Sequence, residues 1–594
     1  MRRNTLMEWN SKDSWKVFLL LSIIFVVFSG LFNHTVWTPD EPRVVAVIKD
    51  MYLSDNLIIP HFAGIPFVEK PPLYFIYCVS LMHLTGLDAL MAARLGLGLL
   101  CLASLVVTFR LAWLLKGKEY AWLTLGVLAS SEGFLLNFHW LRVDAMMMFT
   151  SIVAIWAFAE AYLRFQLRYV LLAGALTGLA FLSKGPIAII LCVGPAWLVL
   201  FIRYVYLRQR GAHQSVTWGR VLFFHMMGFI IMCLVIAAWV YPFYKQASPA
   251  LWHAWFWDNQ IGRLTGSSTK TLGHNHQGKP FYYVSSIIEY TLPWSVFFII
   301  GLVSSVKRAV TRHQVNWLDG FFLFWFCFAV FILSYSATKR PMYLAPLMPL
   351  FALMIASALM TLKGRWSDWY RRAFLVMMIV IIAVFAMTPL WAQLLPSNKV
   401  PQALMLWLSS WQVTALWVLF AIILMIKVEV TQWPAWTKLS LISSLFFIAI
   451  FHYVFIAVDI AKDMRHDLNT FVKQIPQDKR ERTAGIGFSE TMSSIFYLYD
   501  DWSVPMVDKA RAQRILEGED SEYDYLILDR TGSTQDPIRY MGLPSDTPYH
   551  LLLIGHPRSD KKRSAILWLT GDENKTLPMV EVSENVVKQP AKAN

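Results

Sequence analysis

Charged residues are scarce in this chain, and cysteines scarcer still. Only 15% of its 594 residues are Asp, Glu, Lys or Arg, 56% are apolar, and the mean hydropathy is +0.47. Soluble globular domains carry about 25% charged residues, so a single water-soluble globule is excluded. The five cysteines, Cys78, Cys101, Cys192, Cys233 and Cys327, lie in or beside apolar runs without paired spacing. That argues against a zinc knuckle or a disulfide framework and makes them small core residues. There is no internal repeat and no low-complexity tract. No small-residue cleavage site follows "VVFSGLFNH", so the opening "MRRN" and the apolar run behind it read as an uncleaved anchor.

What the chain has instead is length in apolar runs. Stretches of about twenty residues, each long enough to cross a hydrocarbon layer of about 30 Å as a helix, recur to residue 460. They predict a polytopic all-α membrane domain of about thirteen transmembrane helices. The crossings fall near 16–33, 88–115, 119–138, 143–163, 169–182, 186–206, 221–244, 284–304, 318–336, 342–362, 371–394, 408–427 and 437–459. Basic loops orient them, because short cytoplasmic loops are rich in Lys and Arg. With the N-terminus inside, the inner loops hold Lys116, Lys118, Arg164, Arg168, Arg203, Arg208, Arg210, Arg220, Lys307, Arg308, Arg312, Arg365, Arg371 and Arg372, and the C-terminus lies outside. The net charge of +14 thus belongs to membrane orientation and anionic lipid contact, and nucleic acid is not an expected partner.

Beyond residue 461 the composition becomes charged and then alternates short apolar runs with polar turns. Residues 1–461 are predicted to form the membrane domain and 462–594 a small soluble α/β domain outside it. Within the latter, "TAGIGF" and "YDYLILD" read as strands, and "SSIFYLY" and "DKARAQRILEG" as helices. The other sizeable non-spanning pieces, 34–87 and 245–283, fall on the outer side, the first with an interfacial helix over about 41–54.

The ionisable residues near the outer ends of the spans are Asp40, Glu41, Arg43, Glu69, Lys70, Arg142, Asp144, Lys184, Arg263, Lys339 and Arg340. A charge facing lipid costs several kcal/mol, so groups like these line a polar cavity or pair with one another. Acids beside cations suit a reaction in which a hydroxyl or amine loses a proton while an anionic group departs. Blander readings exist for each. Asp40 and Glu41 fit the first turn of a helix with Pro42. Lys70 fits interfacial snorkelling, and Lys184 a helix C-terminus before Gly185-Pro186. His274 and His276, in "GHNHQGKPFYY", could ligate zinc with Glu69 or be polar surface.

Taken together, "WTPDEPR", "GIPFVEKPPLYF", "LRVDAMMMFT", "LSKGPIAI", "WFWDNQIGRLTG", "GHNHQGKPFYYV" and "ATKRPMYLAPLMPL" resemble, in order, the motifs of the GT-C membrane glycosyltransferases that use polyprenyl-phosphate sugars. The nearest likeness is to the lipid A aminoarabinose transferases, with the protein mannosyltransferases as relatives. The resemblance implies Asp40 as the essential carboxylate with Glu41 beside it, and Asp144 as a second acid. It implies Lys70 on the donor phosphate, assisted by Lys184, Lys339, Arg340 and Tyr343. It also implies a possible zinc ion on Glu69 and His276, with His274 as the competing ligand.

The donor so implied is a sugar on an isoprenoid (undecaprenyl-type) phosphate. The acceptor is lipid A or another glycan or protein at the outer face of the bacterial inner membrane, and displacement inverts the anomeric centre. Sidedness agrees, since nucleotide sugars and their magnesium sites belong in the cytoplasm. No nucleotide or obligatory metal is then needed. The competing class, a transporter or flippase of lipid-linked sugars, predicts repeated halves and charges near the bilayer midplane; the sequence has neither.

Overall fold

Apolar sequence gives a backbone in hydrocarbon no partner but itself, so uninterrupted runs fold as helices. The structure, a computed structural model, describes residues 14–212, 216–262, 265, 267, 281–311, 316–362, 366–387, 411–473, 475, 477–516, 519–520, 522–523, 525–531, 550–552 and 563–569. It has two compact units, Met1–Ile460 and Ala461–Asn594.

In the first unit, six helices among the described residues are long and apolar enough to cross a membrane: Ala89–Lys116, Asp144–Leu163, Pro186–Gln209, Trp218–Gln246, Trp317–Tyr335 and Pro341–Thr361. Ser14–Phe28, Leu73–Thr85, Tyr169–Lys184 and Ala435–Phe451 are shorter apolar helices, and Trp366–Ala386 and Trp411–Val430 are also helical. Helix therefore falls within every predicted crossing. Among the described residues six of these helices, or seven if one bent pair is a single span, are long and apolar enough for a full crossing, and the count of about thirteen stays an expectation.

Two predicted crossings are broken, for local reasons. The 284–304 run becomes Tyr282–Tyr290 and Ser295–Val310, bent by 119°. Pro293 lacks an amide hydrogen and steers Leu292 away from helical backbone. The 119–138 run divides into Lys118–Ala129 and Glu132–Asn137. There the Ser130 and Ser131 hydroxyls donate to the carbonyls of Gly126 (2.6 Å) and Val127 (2.7 Å), serving acceptors that the ending helix leaves open. Leu73–Thr85, in turn, is a helix where the sequence predicts an outer loop.

Glycine permits the closest helix approach. A Cβ on Gly174, in Tyr169–Lys184, would lie 2.1 Å from the Gly228 carbonyl oxygen in Trp218–Gln246, so only small residues permit this crossing.

Two outer segments carry acids and a lysine to the ends of the helices. The chain leaving Ser14–Phe28 is pinned by Asp459, whose Oδ1 accepts from the Thr35 amide (2.6 Å) and the Trp37 indole (3.3 Å). It then enters the helix Asp40–Ser54. After that helix, β1 (His61–Phe62) and β2 (Ile65–Pro66) form an antiparallel hairpin turning at Gly64, where φ is +77°, and deliver Glu69 and Lys70.

The second unit is built on a five-stranded sheet. β3 (Thr483–Ile486) pairs in parallel with β4 (Met506–Val507) and β5 (Tyr525–Thr531). β7 (Arg563–Leu569) lies antiparallel to β5 and β6 (His550–Leu552), giving the order β4-β3-β5-β7-β6. Helices Glu490–Asp500 and Lys509–Leu516 fill the parallel connections, and Ile495, Phe496 and Ile527 are wholly buried beside Trp502.

Candidate active site

Asp40 opens its helix without capping it; the preceding Pro39 makes no side-chain cap either. Its carboxylate instead meets two guanidinium groups. Oδ1 accepts from Arg43 at 3.3 Å, and Oδ2 lies 3.8 Å from Arg142. Arg43 also reaches Glu69 at 3.2 Å, so one arginine links two carboxylates from separate segments. Arg142 is fixed in turn: it donates to Asn137 Oδ1 (3.2 Å) and lies over the Trp140 ring (5.1 Å), while the Tyr290 hydroxyl donates to the same Asn137 oxygen (3.3 Å).

Glu41 turns the other way and is wholly buried. Its Oε2 accepts from the Trp37 amide (2.8 Å) and its Oε1 from the Leu141 amide (3.0 Å). It thereby ties the loop before Asp40 to the loop before Asp144. Burial pushes its carboxyl up to about 7, against the pull of Arg94 and Arg142 and of the two amides. No sequence signal gave Arg94 a role, because it lies inside an apolar run; there it is fully buried and donates to the Thr35 carbonyl at 2.9 Å.

A cavity of about 340 Å³ lies alongside. Its walls are mostly apolar, from Met147, Ile190, Leu191, Phe256, Ile332 and Leu333, but Glu69, Lys70, Lys184 and Tyr343 also face it. Lys184, the last residue of its helix, is held by Asp144, the first residue of another: Nζ donates to Oδ1 at 2.5 Å, and the ammonium lies 4.9 Å from the Tyr343 ring centre. Burial holds the Lys70 ammonium below the usual lysine range, with Glu69 opposing the shift and Arg43 adding to it. Gly185 has φ +77°, and a Cβ there would lie 2.1 Å from Gln260 Oε1, so the glycine both makes the turn after Lys184 and admits the Gln260 carboxamide. Gln260 and Asn259 come from an irregular, π-type helix, Ala254–Gly262, and add polar groups to the wall.

The other sequence candidates stand differently. Lys339 donates to the Ser336 carbonyl of its own segment (2.9 Å), and Arg340 lies near Tyr282 and Tyr283; neither lines the cavity. His274 and His276 lie outside the described residues. Glu69, the other suggested zinc ligand, is engaged by Arg43, and among the described residues no three His, Cys, Asp or Glu side chains converge as a metal site would require.

Chemically, the arrangement offers two ammonium groups on the wall of an apolar cavity and a carboxylate beside it that is set by two arginines. It can hold a lipid-borne phosphate at one end and a proton acceptor near it. Arg43, Arg142, Asn137 and Gln260 were all visible as residues in the sequence. What the sequence withheld was their partners.

The long apolar helices that carry this site have an ArnT-like membrane fold. The solved structure of ArnT from Cupriavidus metallidurans bound to undecaprenyl phosphate superposes with a TM-score of 0.66 at 18% identity, covering 94% of this chain and all of that one. Its apo form gives 0.65 at 16% identity. At these identities the likeness is one of fold.

No family model matches the chain. In sequence it is similar to undecaprenyl phosphate-alpha-4-amino-4-deoxy-L-arabinose arabinosyl transferase 1 of Pseudomonas fluorescens (strain Pf0-1), with 24% identity over 389 residues, 63% of this chain and 62% of that one. The corresponding transferase 1 of strain Pf-5 is 27% identical over 356 residues, 57% of this chain and 59% of the relative. The matched region thus spans about three fifths of these relatives' length.

Proposed function

We propose that the chain is a glycosyltransferase. It moves a sugar, aminoarabinose-like or another pentose or hexose, from an isoprenoid phosphate to lipid A or another envelope acceptor at the outer face of the bacterial inner membrane. The observation that carries this reading is that Lys70 and Lys184 both line an apolar cavity that Glu69 of the Asp40–Arg43–Glu69 chain also lines. The names of the sequence relatives, and the undecaprenyl phosphate held by the ArnT structure of the same fold, support it.

The donor's isoprenoid tail follows the apolar walls, and its phosphate meets Lys70 and Lys184. As the bond between the anomeric carbon and the phosphate oxygen breaks, the electron pair goes to phosphate. The two ammonium groups stabilise that charge, each worth about 100- to 1000-fold in rate by analogy with single preorganised donors. Asp40 takes the proton from the attacking hydroxyl, and displacement from the opposite face inverts the anomeric centre. Asp144 keeps Lys184 in place, and Glu41 keeps the two loops in place. Lys339 and Arg340 act, in this reading, from outside the cavity wall. The C-terminal unit lies on the periplasmic side. Every step uses side chains of this chain; a zinc ion on Glu69 and His276 would compete with Arg43 for the same carboxylate.

A transporter of lipid-linked sugars is the weaker reading. The groups that would handle the substrate sit at helix ends, Asp144 first and Lys184 last in their helices, instead of at mid-membrane.

The test is transfer itself: purified protein, an undecaprenyl-phosphate pentose donor and lipid A, with mass spectrometry of the acceptor. Wild type should add the sugar, Asp40→Asn should not, and Lys70→Ala should raise the donor KM more than the acceptor KM. Wild-type turnover by Asp40→Asn removes Asp40 from the mechanism. Passage of donor across vesicles without any transfer defeats the enzymatic reading.

A further inference from the structure

The helix Pro186–Gln209 begins beside the candidate cavity, which Pro186 lines, and ends in arginines. Pro186 and Arg208 are twenty-two residues apart in one run of helix, about 33 Å at 1.5 Å per residue. That is a full hydrocarbon thickness, so the arginines sit at the membrane boundary opposite the candidate site. Arg203 and Arg208 are on this helix, Arg210 follows it, and Arg220 lies in the first turn of the next helix, Trp218–Gln246.

None of these four has a carboxylate within ion-pair distance among the described residues. Each guanidinium lies on an aromatic ring instead. Arg208 is 4.3 Å from the centre of Trp218, Arg203 is 5.2 Å from both Tyr206 and Trp317, Arg210 is 5.3 Å from Tyr206, and Arg220 is 5.9 Å from Phe224. Arg203 and Arg210 therefore share a ring, which brings two like charges together with no carboxylate paired to either among the described residues. The Nε of Arg203 and the Nη1 of Arg208 are buried without an acceptor, and a buried donor left unmet is costly.

We infer that this arginine cluster is a binding site for the phosphodiester headgroup of an anionic glycerophospholipid. A phosphate supplies several acceptor oxygens to guanidinium forks, which suit it better than point-like ammonium groups do. Lipid, and not free phosphate, is favoured by what adjoins the charges. Leu222, Phe223 and Met226 follow Arg220 on the same helix, all largely exposed, and Trp218 and Tyr206 are half exposed at the boundary, where aromatic rings meet headgroups. One molecule can thus seat its phosphate on the guanidiniums and its chains along the apolar helix face.

Native mass spectrometry of the full chain in mild detergent, titrated with phosphatidylglycerol or phosphatidylcholine, tests this. Wild type should retain phosphatidylglycerol in preference. The triple variant R203Q/R208Q/R210Q should lower that retention about a hundredfold, from the usual contribution of a basic residue at an anionic lipid surface. The charge-matched triple K118Q/R164Q/R168Q, on the same membrane face, should leave it near wild type; an equal loss there would mean a diffuse field and overturn the site. Replacing the three arginines by lysine keeps the charge that orients the helices while removing the forks, and should weaken retention less than glutamine does. Undiminished retention by the lysine and glutamine variants alike, or displacement of the lipid by inorganic phosphate at equal concentration, refutes the proposal.

Discussion

Lys184 closes one helix and Asp144 opens another, and the 2.5 Å between Nζ and Oδ1 joins them at the wall of the cavity. Asp144 is almost wholly buried while Lys184 keeps a little exposure. The acid is thus the inner anchor and the ammonium the group presented.

Breaking that pair should cost more than removing it. Lys184→Met or Asp144→Leu alone leaves one charge uncompensated in an apolar wall and should destabilise by about 3 to 5 kcal/mol, whereas the double variant approaches neutrality. Thermal unfolding of the three variants in detergent gives the cycle. Additive losses would mean that the two groups do not stabilise one another. All three should lose transfer, since the cation is absent or no longer placed.

Glu41 predicts a pH dependence of stability. Its carboxyl is raised to about 7 in the fold from an ordinary value of 4.5, so between those pH values the folded chain binds the extra proton. The stabilisation is complete below about 4.5 and is lost as pH rises through about 7, with a total on the order of 3 kcal/mol. Glu41→Gln cannot titrate. It should be less stable than wild type at pH 5, where one loop amide loses its acceptor, and should show a flatter profile from pH 5 to 7.5. Parallel profiles would show that Glu41 is ionised throughout.

Gly174→Ala should loosen the crossing of Tyr169–Lys184 with Trp218–Gln246. The new methyl would meet the Gly228 carbonyl oxygen, which is backbone and cannot rotate aside. Overpacking of this kind costs about 1 to 3 kcal/mol. Lys184 lies ten residues further along the displaced helix, so the donor KM should rise as well. An unchanged melting temperature would show that the helices can part freely.

Zinc offers a separate check on the phosphate chemistry. If Lys70 and Lys184 do that work, chelation should leave turnover unchanged and added zinc should not raise it. Loss on chelation with recovery on zinc would assign Glu69 and His276 to a metal and release Arg43 from Glu69.

The helix Asp40–Ser54 was legible within a residue, because its apolar positions repeat at helical spacing and two acids sit in its first turn. The single crossing expected over 284–304 was not, although Pro293 was in plain view: hydropathy averages over a window and does not register the one residue that has no amide to donate. Leu73–Thr85 escaped for a related reason, since thirteen residues fall short of a hydrocarbon thickness and the charges of Glu69 and Lys70 stand just before them.

What the sequence determined by itself was the solvent and the menu of groups: apolar runs that must satisfy their own backbones, with most acids and cations near the runs' ends. Partnership was decided only by the tertiary structure. Asp40 and Glu41 are adjacent and chemically alike, yet one is shared by Arg43 and Arg142 while the other is sealed behind it on two backbone amides. Neighbouring side chains on a helix leave its axis about 100° apart, so which carboxylate meets solvent and which meets the core depends on helices distant in sequence that pack against each face.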